Sequence, residues 1–238
     1  MKTTSRQRSA VVVAALPKVA GNYAGKAAPA RQRERREKLI AAGIRLIGTQ
    51  GFAATSIDAV CSEAGLTKRY FYENFEHREA LLQAAFRQGT GELLGSLMQA
   101  AAPHRGDARA LVDAGVRATF TFVRAHPHEG RLIMIEALAV RGPLGRLYVE
   151  RFGAFVDLLL GMTRPFLPQG IVSDTELVVM GRGAIGALIH LCQSWIATDF
   201  KQPIEELVAG TVRIFAGLGR ELGNPAWHSH NAPSADAA

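Results

Sequence analysis

The sequence predicts an all-α protein in which a small N-terminal helix-turn-helix domain precedes a larger helical domain. Apolar residues recur three and four positions apart over most of the 238-residue chain, and this spacing buries one face of an α-helix. No stretch shows the sustained apolar/polar alternation of a half-buried strand. Glycine and proline separate the helical patterns, so they mark the expected order of elements.

Four segments are expected along the chain. Residues 1–29 have no sustained period and contain glycine and proline, so we expect a flexible basic arm. A helix-turn-helix domain is expected over 30–82 and the larger helical domain over 83–223. Residues 224–238 are expected to form a disordered tail.

The first helix is expected over 31–50. Ile40, Ile44 and Ile47 form its apolar stripe, and Gly51 stops it. The next two helices are short and joined by a tight turn, which is the pattern of a helix-turn-helix. The cap residues and the turn glycine that set their ends are Thr55 or Ser56, Gly65 and Thr67.

A fourth helix is expected over about 77–101. The remaining helices fit approximately residues 107–125, 127–140, 143–167, 174–199 and 203–221. Pro127, Pro143 and Pro203 lie at or near helix starts, where the missing N–H group does no harm.

The basic charge is confined to the N-terminal third of the chain. Residues 1–82 carry 14 Lys and Arg against 7 Asp and Glu, a net charge of +7, whereas residues 83–238 carry 14 of each. Such asymmetry indicates a polyanionic partner for the N-terminal third, either nucleic acid or an anionic membrane surface. A membrane-surface helix would show one long basic amphipathic face, so the helix-turn-helix spacing favours nucleic acid.

The compartment expected is a reducing cytoplasm. Cys61 and Cys192 lie in different predicted domains on apolar helical faces, which is typical of reduced, buried cysteines rather than a disulfide or metal pair. No membrane span is expected. The apolar run 10–16 faintly resembles a signal peptide but is minimal, and a basic DNA-binding arm fits the region better.

One face of the third helix carries the functional signal. With Phe71 pointing inward on a helical wheel, Arg69 points outward with Tyr70 and Tyr72 beside it, and Lys68 at the helix start can swing outward. This cationic and aromatic face lies at the N-terminal end of the second helix of a helix-turn-helix. In such complexes this end reaches base edges in the major groove.

Residues 34–82 resemble the tetracycline-repressor (TetR) family closely. The matching residues are Ile47, Gly51, Phe52, Thr55, Ser56, Gly65, Thr67, Lys68, Phe71, Tyr72, Phe75, Arg78, Glu79, Leu81 and Leu82. Beyond residue 82 the resemblance is one of helix number, helix length and apolar character. The pair Arg69-Tyr70 departs from the small residues that many members carry, which affects the operator sequence expected rather than DNA binding.

The resemblance implies roles for single residues. Ser56, Thr67 and Tyr72 are expected to contact phosphates, and Arg78 matches a position that touches the DNA backbone. Lys68, Arg69 and Tyr70 are expected to read bases. The implied protein is a ligand-responsive regulator, most simply a repressor that binds a palindromic double-stranded operator as a homodimer. The alternatives are a ligand-independent repressor or an activator of the same fold.

The resemblance also implies a pocket for a small apolar or aromatic effector in the helical domain. Its candidate ligand-binding residues are Arg117, Phe120, Met134, Phe152, Phe155, Met162, His190 and Gln193. The two last helices hold small residues between large apolar ones and are expected to form the dimer interface. The candidate interface residues are Gly186, Ile189, Trp195, Val208 and Phe215.

A helical enzyme is the competing function class. It would need a polar catalytic cluster in the helical domain, and we find no phosphate loop, nucleophile elbow, dinucleotide fingerprint or zinc spacing there. We therefore expect no catalytic activity, no metal and no cofactor.

Overall fold

The computed structural model describes residues 23–137, 143–168 and 170–223. In these ranges the chain forms α1 (Tyr23–Gln50), α2 (Ile57–Ala64), α3 (Lys68–Tyr72), α4 (Arg78–Ala101), α5 (Ala108–Ala125), α6 (Pro127–Arg131), α7 (Pro143–Thr163), α8 (Asp174–Ala197) and α9 (Ile204–Glu221). None of the described residues lies in a β-strand. The predicted all-α fold class is confirmed.

The first helix begins earlier than the sequence predicts. α1 starts at Tyr23, so the end of the expected flexible arm is helical. Residues 23–30 contain four alanines, and alanine has the highest helix propensity. Pro29, which the sequence analysis places in the flexible arm, lies inside α1. The rest of the predicted arm and the predicted tail over 224–238 lie outside the described residues.

Helices α1 to α3 form the N-terminal domain, whose core is continuous with the start of α4. The predicted stripe of α1 is buried, and Ile44 and Ile47 are at most 3% exposed. They share this core with Val60 of α2, Phe71 of α3 and Leu82 of α4. The apolar residues that the sequence analysis predicts to face the core of this domain are therefore buried.

Helices α4 to α9 form the helical domain. Its core includes Phe120 of α5 and Trp195 of α8, whose rings meet edge to face at 5.6 Å. Both cysteines are buried and free, as predicted. Burial raises the pKa of the Cys192 thiol to about 12, so this cysteine stays protonated and behaves as an apolar side chain.

The two domains meet where α1 crosses α6. A Cβ on Gly48 would lie 2.5 Å from the Cα of His128, so only glycine permits this close approach of the two backbones. α6 then continues into one π-helical segment, Leu132–Glu136, which we call the π turn. Such π-helical turns inside α-helices are frequent at functional sites.

Candidate functional site

The turn between α2 and α3 follows from local sequence. The Ser56 hydroxyl caps α2 by accepting a hydrogen bond from the Ala59 N–H at 3.1 Å. Gly65 ends α2 with a φ of 63°, and the next N–H, from Leu66, donates to the Cys61 carbonyl at 2.9 Å. This left-handed conformation favours glycine. The predicted helix-turn-helix is therefore present.

Phe71 anchors α3 to the core beneath it. It is fully buried, and its ring centroid lies 5.7 Å from that of Phe75 and 5.5 Å from that of Tyr72. α1 holds the end of the same helix, because Arg36 donates to the Asn74 carbonyl at 3.1 Å and lies over the Phe75 ring. These contacts fix which face of α3 points outward.

The outward face of α3 carries two cations, each with an acidic partner. The Arg69 side chain is 83% exposed, and its Nε lies 3.0 Å from an oxygen of Glu73. Lys68 Nζ lies 2.8 Å from an oxygen of Asp58 on α2, and this hydrogen bond raises the pKa of the Lys68 ammonium. Tyr72 is 58% exposed. Arg69, Lys68 and Tyr72 thus lie on the surface that the helical wheel predicts.

Two further predicted contacts lie at the edges of this face. Tyr70 is half-buried beneath Arg35, whose guanidinium lies 3.9 Å from the ring centroid. Thr67 occupies the N-cap position of α3 and is exposed, but within the described part of the chain its hydroxyl makes no capping hydrogen bond. Sequence reasoning did not include Arg35; the basic run over 31–38 is the signal that points to it.

Arg78 lies in a different environment from the one expected. Its guanidinium donates to the Thr55 carbonyl at 2.8 Å and lies over the Phe52 ring, so it ties the loop before α2 to α4. The guanidinium is therefore already partnered by groups of the protein. We therefore do not include Arg78 among the proposed DNA contacts.

The helical domain contains an apolar cavity of about 310 Å³ between α4, α5, the π turn, α7 and α8. We call it the first cavity. The predicted ligand-binding residues Met134, Phe152 and Phe155 line it. Sequence reasoning missed the other lining residues, which are Phe86, Thr90, Leu93, Leu94, Thr119, Ile133, Tyr148, Arg151, Ala154, Leu158, Ile185, Leu188 and Ile189.

Burial governs the polar groups of this cavity. The Thr90 and Thr119 hydroxyls donate to carbonyls of the preceding helical turn. Burial raises the pKa of the Tyr148 phenol, so that group stays neutral. The cavity therefore presents mainly hydrocarbon and aromatic surface.

Five of the predicted ligand-binding residues do not line the first cavity. Phe120 is fully buried against Trp195. Arg117 is held by both carboxylate oxygens of Glu205 on α9, at 2.7 and 2.9 Å. His190 is exposed, and Gln193 donates to the Met134 carbonyl at 2.7 Å, so it holds the wall of the cavity from behind.

Met162, the remaining ligand-binding candidate, lines a smaller neighbouring cavity of about 50 Å³. This second cavity lies further along α7 and α5.

The π turn connects the first cavity to the N-terminal domain. Ile133 and Met134 line the cavity, and two residues later Glu136 accepts a hydrogen bond from the Phe52 N–H at 2.9 Å. The Glu136 side chain is only 14% exposed and lies near Arg131, at 3.8 Å. One short segment therefore contacts both the cavity and the loop that precedes α2.

The predicted dimer-interface residues are mostly inside the protomer. Trp195 is fully buried, and its indole N–H donates to the Gln202 carbonyl at 2.9 Å. Val208 and Phe215 are also buried, and Ile189 lines the first cavity. Among these five, Gly186 alone is exposed. Helical spacing gives α8 and α9 apolar residues on two faces, and the sequence does not say which face is covered.

A second, exposed face of α8 and α9 is rich in small and apolar residues. On α8 it carries Val179, which is 63% exposed, with Gly183 and Gly186. On α9 it carries Gly210 and Ile214. By length and composition alone, α8 is also apolar enough to cross a membrane, which the sequence analysis did not predict. Only 33% of its most apolar stretch is buried within the protein. An apolar helix left partly uncovered also suits a surface between two subunits.

Within the described ranges, there is no group of three or more His, Cys, Asp or Glu side chains that could hold a metal ion. The chain is, by its fold and its N-terminal surface, a two-domain helix-turn-helix protein.

Comparisons with known proteins match the N-terminal domain to a family. Residues 39–85 match the family model for bacterial regulatory proteins of the tetR family. A further match is to an uncharacterized HTH-type transcriptional regulator, YerO, of Bacillus subtilis strain 168, with 46% identity over 52 residues. That match covers 22% of this chain and 18% of YerO.

Solved structures extend the likeness to the helical domain. The fatty acid degradation regulator FadR of Bacillus halodurans superimposes with a TM-score of 0.68 at 17% identity, covering 77% of this chain and 96% of that one. FadR of Bacillus subtilis in complex with stearoyl-CoA superimposes with a TM-score of 0.67 at 14% identity, covering 75% and 96%. At these identities the likeness shows the fold.

The N-terminal domain of the chain therefore carries the DNA-binding region of the tetR family of bacterial regulatory proteins. This family consists of DNA-binding regulators rather than enzymes.

Proposed function

We propose that this protein is a ligand-responsive transcriptional repressor of the cytoplasm. It binds a palindromic DNA operator as a homodimer and leaves it when a small apolar effector occupies the first cavity. The observation that supports the ligand response is the position of this cavity of about 310 Å³. The π turn that lines the cavity also contacts the N-terminal domain, through the hydrogen bond between Glu136 and Phe52. The size of the cavity falls at the lower end of known ligand pockets.

The proposed base-reading residues are Lys68, Arg69 and Tyr70. Asp58 and Glu73 hold the two cations in place before DNA arrives, which reduces the conformational entropy lost on binding. On the operator each cation would exchange its carboxylate for a phosphate or a base edge. Arginine is suited to guanine, because its planar fork donates to two acceptors at once.

The proposed phosphate contacts are Ser56, Thr67 and Tyr72. Ser56 and Thr67 lie at the N-termini of α2 and α3, where backbone N–H groups and hydroxyls together favour an anion. These contacts set the register of α3 on the DNA but carry no sequence information.

We propose that two protomers associate through the exposed face of α8 and α9. A two-fold dimer matches a palindromic operator, and its two recognition helices would lie about 34–36 Å apart, one turn of DNA. The effector would act by favouring a dimer in which this spacing is wrong, through α4 and the π turn. A ligand with equal affinity for both forms would release nothing.

DNA binding is tested by titrating the purified protein against fragments of its genome at several salt concentrations. Because neutralised phosphates release counterions, we expect affinity to fall steeply with salt. We expect Arg69→Ala to weaken operator binding by about 1–3 kcal/mol and to relax base preference at one position. The matched control is Arg164→Ala in the helical domain, where an exposed arginine also pairs with an acidic residue. Equal effects of the two substitutions would remove Arg69 from the recognition surface.

An activator or a ligand-independent repressor is the remaining alternative. Transcription measured with and without the protein separates activation from repression. A first cavity that accepts no apolar compound would favour the ligand-independent regulator.

A further inference from the structure

Three apolar cavities lie in series in the helical domain and share their walls. The first and second cavities have five lining residues in common, which are Thr119, Phe155, Leu158, Ile185 and Leu188. The second cavity in turn shares Val112, Leu159 and Phe215 with a third cavity of about 80 Å³. The unfilled space therefore follows a line rather than forming one rounded chamber.

One end of this line carries a positive charge. Arg151 is the only charged residue among the described residues that line the three cavities. It is exposed, unlike the aromatic residues behind it, so it lies at the rim of the first cavity. Within the described part of the chain it makes no hydrogen bond or ion pair. An arginine in this position is suited to a carboxylate or a phosphate, which it can bind with two parallel hydrogen bonds.

We propose that the effector is a single-chain amphiphile with an anionic head group. The head group binds Arg151, and the hydrocarbon chain passes between Phe155 and Leu158 into the second cavity. This inference rests on the proposed function, whose ligand it specifies. A ring-containing compound would fit the first cavity but has no chain to extend past Phe155 into the second cavity.

The length of α7 sets the length of chain expected. Arg151 and Met162 are eleven positions apart on this helix, which corresponds to about 16 Å at a rise of about 1.5 Å per residue. An extended hydrocarbon gains roughly 1.3 Å per carbon from bonds of about 1.5 Å, so about a dozen carbons cover this distance. Each methylene buried in apolar surroundings raises affinity about fourfold.

Gly115 allows the second cavity to be filled selectively. It lines the second cavity but not the first, and a Cβ built on it meets no atom within 4 Å. Gly115→Leu therefore puts a side chain into open space, and leucine favours the helix more than glycine does. The matched control is Gly91→Leu on α4, an exposed position whose Cβ also meets nothing and which lines none of the three cavities.

The experiment measures binding of octanoate, palmitate and palmitoyl-CoA to the full-length protein by calorimetry. We expect palmitate or palmitoyl-CoA to bind at least tenfold more tightly than octanoate. Gly115→Leu should reduce that long-chain affinity at least tenfold and change octanoate binding less than threefold, while Gly91→Leu changes neither. If palmitate binds, a carboxylate is sufficient as the head group. If palmitoyl-CoA binds and palmitate does not, the phosphates of coenzyme A are the head group.

The head group is tested by Arg151→Gln, with Arg146→Gln at an exposed position on the same helix as its control. We expect Arg151→Gln to weaken long-chain binding about tenfold and Arg146→Gln to leave it unchanged. Equal binding of short and long chains, or equal effects of the paired variants, overturns this inference. The proposed function still holds in that case if a ring compound binds and weakens operator affinity. It fails if no compound, ring or chain, changes operator affinity.

Discussion

The N-terminal domain and the helical domain differ in how completely their interiors are filled. In the first, Phe71 and Phe75 occupy the angle between the helices and are almost completely buried. In the second, three cavities lie between the helices, and all their lining residues come from Phe86 onward. A DNA-reading surface must keep one geometry, whereas a ligand sensor must keep space for its ligand. These three cavities thus lie in the domain to which we assign ligand binding.

The two domains also differ in the state of their functional cations. Lys68 and Arg69 are exposed but each is already paired with a neighbouring carboxylate. Arg151 has no such partner among the described residues. The pairing would hold both cations in position for the DNA partner that we propose. An unpaired cation at a cavity rim is available to a single small anion.

The largest difference between the domains is expected in the stability lost when an aromatic ring is removed from each. Phe71→Ala removes a fully buried ring from a filled core, and we expect it to lower the free energy of unfolding by about 3–5 kcal/mol. Phe152→Ala enlarges an existing cavity and removes fewer contacts, so about 1–2 kcal/mol is expected. Urea denaturation followed by circular dichroism measures both. Equal losses would contradict the difference in packing.

The next largest effect concerns the exposed face of α8. Gly186→Arg places a long cation where two protomers are expected to meet, so we expect a monomer with at least tenfold weaker operator affinity. Gly91→Arg is the control, because Gly91 is equally exposed and open but lies on α4. Light scattering gives the oligomeric state. A wild-type protein that is monomeric at micromolar concentration would contradict the proposed dimer.

The contrast between the domains also explains what the sequence could predict. In the N-terminal domain the Ser56 cap, the Gly65 turn and the inward Phe71 follow from rules that act over a few residues. Those rules place Arg69 and Tyr72 outward without knowledge of the rest of the protein. The position of Arg78 was not predictable in this way, since its carbonyl acceptors lie more than twenty residues earlier in the chain.

In the helical domain the same reasoning identifies buried faces but not what lies opposite them. Phe120 and Phe155 have the same character in the sequence, yet one packs against Trp195 and the other lines two cavities. Whether a cavity forms depends on side chains from five elements at once. For the same reason Ile189 was assigned to the dimer interface although it lines the first cavity. Local periodicity carries no information about such distant contacts.

The smallest effect is expected at the ion pair that holds Lys68. Asp58→Asn releases Lys68 and removes a negative charge close to the DNA, so operator affinity should rise about two- to fivefold at low salt. Asp58 also lies in the first turn of α2, so stability should fall by about 0.3–1 kcal/mol. Glu63→Gln is the control, because this acidic residue of α2 pairs with Arg45 rather than with α3. A gain in affinity that persists at high salt would contradict the electrostatic cause.

The proposed function requires coupling between the occupied first cavity and the outward face of α3. The direct measurement is fluorescence anisotropy of a labelled operator fragment bound to the wild-type protein, titrated with palmitate, palmitoyl-CoA and a panel of ring compounds, with thermal unfolding of the same samples. We expect at least one compound to raise the melting temperature and to lower operator affinity about 5- to 150-fold, which corresponds to a coupling of about 1–3 kcal/mol. A compound that raises the melting temperature and leaves operator affinity unchanged would contradict this coupling.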